Sequence, residues 1–187
     1  QKEQLGTGHA MRQALPGLKK TAADNKVLIL LGDVPLITRS TLEQVIDRCG
    51  PEQVSLLTSR SSTPEGFGRI IRNSKGDVTS IVEERDATSA QKAIKEVNSG
   101  IMAISAPRLR AWLDALGTRN DQGEYYLTDI VAMAHADGAR IQATVVDEME
   151  VAGVNNKLQL ASVERRYQTE MANKLLELGV TLHDPSR

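Results

Sequence analysis

Aromatic residues supply only 3% of this 187-residue chain, with one Trp, one Phe and three Tyr, so any core must be built from aliphatic side chains. Cysteine is scarcer still. Cys49 stands alone, which excludes an internal disulfide and fits a reducing compartment such as the cytoplasm. Charge of one sign is not in excess: 23 basic against 24 acidic residues leave a net charge of -1, and no dense basic run offers a footprint for nucleic acid. A small phosphorylated ligand held by local charge stays compatible with that balance. Long apolar runs are missing too, since the longest, Val27 to Leu31, falls far short of the about 20 residues that cross a bilayer. No membrane partner is expected. There is no internal repeat and no low-complexity segment, and the length suits one domain with a sizeable core.

What is present is organised around VLILLGDVPL, Val27 to Leu36. A short apolar run closed by Gly-Asp-Val-Pro reads as a strand covered on both faces, as in parallel sheets flanked by helices. Asp33 then stands at its carboxyl end, where open α/β sheets bind ligands, and Pro35 ends the strand. Asp is also a common turn former, so a mere turn cap is the competing role.

Around that stretch the chain alternates strands and helices. Gly6, Thr7 and Gly8 precede a helical pattern, and glycines there can present backbone N–H groups to a phosphate or a base edge. His9 beside them has no matched nucleophile and reads as structural. Ser40 to Glu43 reads as a capping box opening a helix with Leu42, Val45, Ile46 and Cys49 inward, before the strand Gln53 to Ser59. The unit from Val27 to Ser59 is therefore expected to be a parallel βαβ crossover. Arg69 to Arg72 and Val78 to Glu83 read as a hairpin, followed by the carboxylates Glu83, Glu84 and Asp86, a cluster that is more often a solvated face than a site.

Lys95 to Ile104 is a strand carrying polar Asn98, and Ala106 to Leu116 a helix with Trp112 on its buried stripe. Asn120 to Asp129 is a polar loop suited to a lid or specificity segment, feeding a helix from about Leu127 to Asp137. After the strand Ile141 to Val146, either Asn155 or Asn156 could cap a helix that runs to Leu178. The fold class is α/β: a central, mostly parallel mixed sheet flanked by helices, plus a small β-hairpin region.

Seven stretches in order, QKEQLGTGHA, LLGDVPLI, EGFGRI, IVEERDAT, EVNSGI, GEYYLTDI and VAGVNNKLQL, closely resemble the bacterial N-acetylglucosamine-1-phosphate uridylyltransferases, the uridylyltransferase domain of a bifunctional enzyme that is also a glucosamine-1-phosphate acetyltransferase. The resemblance implies a Rossmann-like nucleotidyltransferase fold. It implies that UTP and N-acetylglucosamine 1-phosphate are joined into UDP-N-acetylglucosamine, with release of pyrophosphate, for peptidoglycan and lipopolysaccharide synthesis. Carried over residue by residue, Asp33 and Asn155 would hold Mg2+ and serve catalysis. Gln1, Gln4, Gly6, Thr7 and Gly32 would meet the nucleotide, and Gly68, Glu83, Asn98, Tyr126 and Thr128 the sugar.

The family's first βα unit, with a Gly-rich loop and Lys that cradle the triphosphate, has no counterpart before Gln1, and its β-helix acetyltransferase domain has none after the HDP exit. Residues 1–187 are thus expected to be a partial uridylyltransferase domain, weakly active or inactive alone. A monomer or weak associate is expected for it, against a homotrimer for the full-length parent. Alternatives are another sugar-1-phosphate nucleotidyltransferase, or a non-catalytic sugar-nucleotide-binding module. A metal-dependent glycosyltransferase ranks third, because no Asp-x-Asp closes the apolar strand.

Overall fold

The computed structural model describes residues 2–18 and 25–186, so Gln1 lies outside the described residues. In chain order the elements are α1 (Thr7–Ala14), β1 (Lys26–Ile29), α2 (Arg39–Asp47), β2 (Gln53–Arg60), β3 (Arg69–Arg72), β4 (Val78–Val82), α3 (Ser89–Lys92), β5 (Glu96–Ser105), α4 (Ala106–Ala115), α5 (Asp129–Ala136), β6 (Arg140–Val146) and α6 (Lys157–Glu177). Single 3-10 turns occupy Leu15–Gly17 and Glu148–Val151.

The six strands form one mixed sheet in the order β4-β3-β5-β2-β6, and β1 pairs with β5 beside β3. β5 is long and buried at every position from Ile101 to Ser105, because its apolar residues serve both faces of the sheet. On one side it pairs antiparallel with β2, and on the other with β1 and then with β3. β1, β2, β3 and β6 run one way, and β5 and β4 the other. The sheet is thus mostly parallel in strand direction, yet β2 and β6 are the one parallel ladder among the described residues.

Two expectations are corrected by this topology. β1 and β2 are co-directional but not neighbours, since β5 lies antiparallel between them. A crossover read from consecutive strands cannot foresee a later strand inserting into the gap. The aliphatic run is also less covered than predicted: Ile29 is buried, but Leu30 and Leu31, past the end of β1, are 48% and 40% exposed, and among the described residues β1 pairs with β5 alone.

The sheet carries a core on each face. On one side α4 and α5 bring Leu109, Trp112, Leu113, Ile130 and Val131 against Leu56, Met102 and Ile104. Trp112 is a core residue whose Nε1 donates to Asp137 Oδ2 at 2.8 Å. On the other side α2 brings Val45 and Cys49 against Leu57, Ile101 and Ala103, and burial pushes the Cys49 thiol up.

α2 is capped by Thr38 rather than by a box at Ser40. Thr38 Oγ1 accepts from the Thr41 N–H at 3.2 Å, and Thr38 is itself anchored by Glu150, whose Oε1 accepts from the Thr38 N–H and hydroxyl. That anchor comes from the 3-10 turn far downstream, out of reach of a local pattern. At α6 the cap is Asn156, whose Oδ1 accepts from the Gln159 N–H at 2.9 Å, so Asn155 is left for another role.

Candidate functional site

The site begins as a break in the sheet. Along one side of β5, pairing with β1 ends at Ile29, opposite Met102, and pairing with β3 starts only at Arg69, opposite Val97. Between them is a notch. Its floor is a β-bulge: Leu56 pairs with Met102 and Thr58 with Asn98, so two steps along β2 answer to four along β5. Bulges re-aim side chains and cluster near active sites. The loosened backbone is resatisfied locally, with Ser99 Oγ donating to Leu57 O and accepting from the Ile101 N–H, and Asn98 Oδ1 accepting from the Gly100 N–H. Gly100 is required here, for its φ is +79° and a Cβ would meet Leu31 at 2.6 Å.

An open cavity of about 240 Å³ fills the notch and brings together Asp33, Gly68, Glu83, Asn98 and Asn155. A second cavity of about 240 Å³ adjoins it toward α6, sharing Phe67, Asn98, Gly153 and Gln159. Asp33 arrives from the turn after β1, and its backbone carbonyl accepts from the Val154 N–H at 2.9 Å, which fixes the GVNN segment beside it. A β-carbon built on Gly153 would lie 3.5 Å from Asp33 Oδ2 and 3.9 Å from Asn155 Nδ2, so both side chains flank one glycine. Neither side chain has a hydrogen-bond partner among the described residues. Gln159 Oε1 accepts from the Asn155 N–H at 2.7 Å and holds that residue in place.

An Asp carboxylate and an Asn amide are hard oxygen donors suited to a small divalent cation. Among the described residues no three His, Cys, Asp or Glu side chains are grouped to hold a metal alone. Such a pair therefore fits an ion whose other positions are filled by phosphate oxygens and water.

At the other end of the notch the acidic cluster divides into three roles, which corrects its reading as a solvated face. Glu83 lines the cavity, with Oε1 accepting from the Thr128 hydroxyl at 2.7 Å. Glu84 pairs with Arg69, itself only 1% exposed, at 2.6 Å, and that guanidinium holds the Glu84 carboxyl below its usual range. Asp86 accepts from the Asp121 N–H at 2.8 Å and so straps the polar loop. Gly68 is needed where the hairpin meets the cavity, because a Cβ would stand 2.8 Å from Ile81 and 3.3 Å from Glu83 Oε2.

Tyr126 and Thr128 are nearly buried behind Glu83. Burial above all, with the nearby Asp86 and Glu83 carboxylates, pushes the Tyr126 hydroxyl up against a hydrogen bond from Gln122 that lowers it. Asp129 is likewise raised, by burial first and then by Glu83 and Asp86. The residues assigned to the nucleotide are not gathered into this cavity. Gln4 and Gly32 are exposed, and Gly6 and Thr7 pack on the Tyr125–Leu127 segment. The Gly8 N–H, expected to be open for a phosphate, donates to Tyr125 O at 2.7 Å.

No family model matches the chain. The bifunctional protein GlmU of Neisseria meningitidis (serogroup A) is 55% identical over 188 residues, which cover 100% of this chain and 40% of that protein. The chain is thus homologous, over its whole length, to one part of the GlmU proteins. GlmU of Stutzerimonas stutzeri is 51% identical over 100% of the chain and 41% of its own length, and that of Neisseria gonorrhoeae 52% over 100% and 40%. The chain thus spans about 40% of the length of these GlmU relatives.

The fold has relatives beyond GlmU. A CMP:2-keto-3-deoxy-manno-octonic acid synthetase solved with CTP superposes with a TM-score of 0.60 at 21% identity, covering 88% of this chain and 69% of that one. A Bacillus anthracis structure described as a glucose-1-phosphate thymidylyltransferase gives 0.58 at 15%, covering 86% and 61%. The chain therefore has the Rossmann-like nucleotidyltransferase fold. Among the described residues no helix is long and apolar enough to cross a membrane.

Sequence reasoning missed three supports of this candidate site. Gly153 sits between Asp33 and Asn155, and only its place in GVNN marks it. Gln159 is signalled by its spacing of four from Asn155, and the bulge by Ser99-Gly100 inside an apolar strand.

Proposed function

We propose that this chain carries a uridylyltransferase centre that joins UTP and N-acetylglucosamine 1-phosphate into UDP-N-acetylglucosamine and pyrophosphate. The observation that supports it is the convergence of Asp33 and Asn155 on Gly153 in a notch that also holds Glu83 and Asn98. A phosphate oxygen of the sugar phosphate attacks the α-phosphorus of UTP. The new P–O bond forms as the bond to the β-phosphate breaks, and the electron pair leaves with pyrophosphate. No covalent protein intermediate is needed, so the protein's task is positioning and charge relief.

Asp33 and Asn155 would hold Mg2+, which when bound supplies positive charge to phosphate oxygens as negative charge accumulates. Glu83 offers Oε2 as an acceptor for a sugar hydroxyl, since Oε1 is occupied by Thr128. Asn98 offers its Nδ2 as a donor, its Oδ1 being held by the Gly100 N–H. One carboxylate acceptor and one amide donor across a small cavity suit a hydroxylated, N-acylated sugar.

The test measures pyrophosphate release by the natural-length protein with UTP and N-acetylglucosamine 1-phosphate, against dTTP and glucose 1-phosphate. Turnover on the first pair is expected. Preference for the second would favour another sugar-1-phosphate nucleotidyltransferase. Binding of UDP-N-acetylglucosamine by calorimetry without any turnover would favour a non-catalytic module.

A further inference from the structure

We infer that Thr7 is a positioning residue for the sugar-phosphate end of the cavity, acting through Leu127 and Thr128 on Glu83; this deepens the nucleotidyltransferase reading and rests on it. Thr7 Oγ1 accepts a hydrogen bond from the Leu127 N–H at 3.0 Å. The next residue, Thr128, donates its hydroxyl to Glu83 Oε1 at 2.7 Å. The glycine-flanked segment and the cavity carboxylate are thus two hydrogen bonds and one peptide unit apart.

The surrounding contacts make this connection stiff. Tyr125 donates its N–H to Leu5 O at 2.9 Å and accepts at its carbonyl from the Gly8 N–H at 2.7 Å. Together with Thr7, these bonds fix residues 5–8 against residues 125–127 at three points. From the opposite side Asp86 holds the Asp121 N–H, so the loop has little freedom to absorb a change. Leu127 and Thr128 are 6% and 8% exposed, which leaves no solvent to replace a lost partner.

Geometry at Glu83 is sensitive to this support. With Oε1 held by Thr128, the carboxylate stands beside Gly68, where a β-carbon would lie 3.3 Å from Oε2 and 3.4 Å from Oε1. Removing the Thr7 hydroxyl leaves a buried N–H unpaired, and the Leu127–Thr128 backbone then shifts to seek another acceptor. The carboxylate loses its fixed direction toward the sugar, while the Asp33 end is untouched.

Kinetics on the natural-length protein test this. Thr7→Val is expected to raise KM for N-acetylglucosamine 1-phosphate about tenfold and KM for UTP by less, and Thr7→Ser, which keeps the acceptor, to restore both. Thr128→Val should act in the same direction, and the double variant should be no worse than the worse single, because the residues act in series. A rise in KM for UTP with an unchanged sugar-phosphate KM would overturn the inference and make Thr7 a nucleotide contact. A lowered Tm with both KM values unchanged would overturn it in favour of a purely structural role. Absence of turnover in the unmodified protein overturns the nucleotidyltransferase reading and this inference together, whereas turnover with either of the preceding results overturns this inference alone.

Discussion

The two ends of the notch are built on opposite plans. At one end Asp33 and Asn155 keep side chains with no partner among the described residues, and only their backbones are tied, by Val154 and Gln159. At the other, Glu83 is gripped by Thr128, with Tyr126 and Leu127 packed nearly buried behind. The proposed roles of the two ends account for the difference. A cation needs oxygen ligands whose lone pairs are uncommitted, and it supplies its own ordering once bound. A sugar hydroxyl carries no net charge to order its partner, and an acceptor already aimed avoids the side-chain entropy that aiming it during binding would cost.

Asp33→Asn breaks the open end and should have the largest effect: loss of about 4 kcal/mol of transition-state stabilisation, or roughly 10³-fold in kcat/KM, with little change in Tm. Pyrophosphate assay and thermal melting check it, and near wild-type turnover would remove the metal role. At the braced end Gly68→Ala should destabilise by about 1–3 kcal/mol through overpacking and raise KM for the sugar phosphate, since the new methyl meets Ile81 at 2.8 Å and Glu83 within 3.4 Å. Unchanged melting and KM would show that this end is looser than the geometry says.

The adjacent asparagines sharpen the contrast. Asn156→Ala removes the cap of α6 and should lower stability by about 1 kcal/mol while turnover persists. Asn155→Ala should do the reverse, losing turnover with little change in stability. Equal effects would mean the two positions share one role. The smallest effect is expected at Asp129, whose carboxyl is raised by burial and by Glu83 and Asp86. A raised folded value means the unfolded chain ionises first, so stability is lost as pH climbs from the ordinary carboxylate range through that raised value. Asp129→Asn should therefore be stabilising at neutral pH and lose that advantage toward acid, as read from Tm against pH.

The sequence carried the strands and their order well but not their neighbours. The aliphatic run ending in Asp33 announced β1, and alternation with turn residues announced β3 and β4, because these depend on a few adjacent side chains. The insertion of β5 between β1 and β2 depends on contacts some seventy residues away, which no local period encodes. The site was legible as motifs rather than geometry. Asp33, Glu83, Asn98 and Asn155 could be named one by one, yet the bulge beside them is a register shift marked only by Ser99-Gly100. Arg69 was the opposite case: nothing in its four-residue strand marks it as buried, and its partners, Glu84 and the Phe67 and Lys92 carbonyls, come into view only in the fold.

On either side of the bulge β5 is laddered to β2, at Met102–Ala103 and at Glu96–Asn98, so the amides of those flanks should exchange with solvent far more slowly than those of the walls that overhang them. The walls, Gly66–Gly68 on one hand and the segment after Val151 on the other, belong to connections that can lengthen or shorten without unpicking that ladder. Loop length around the cavity and strand pairing beneath it are thereby separable, which leaves room for relatives, or for a protein engineer, to retune one without unpicking the other.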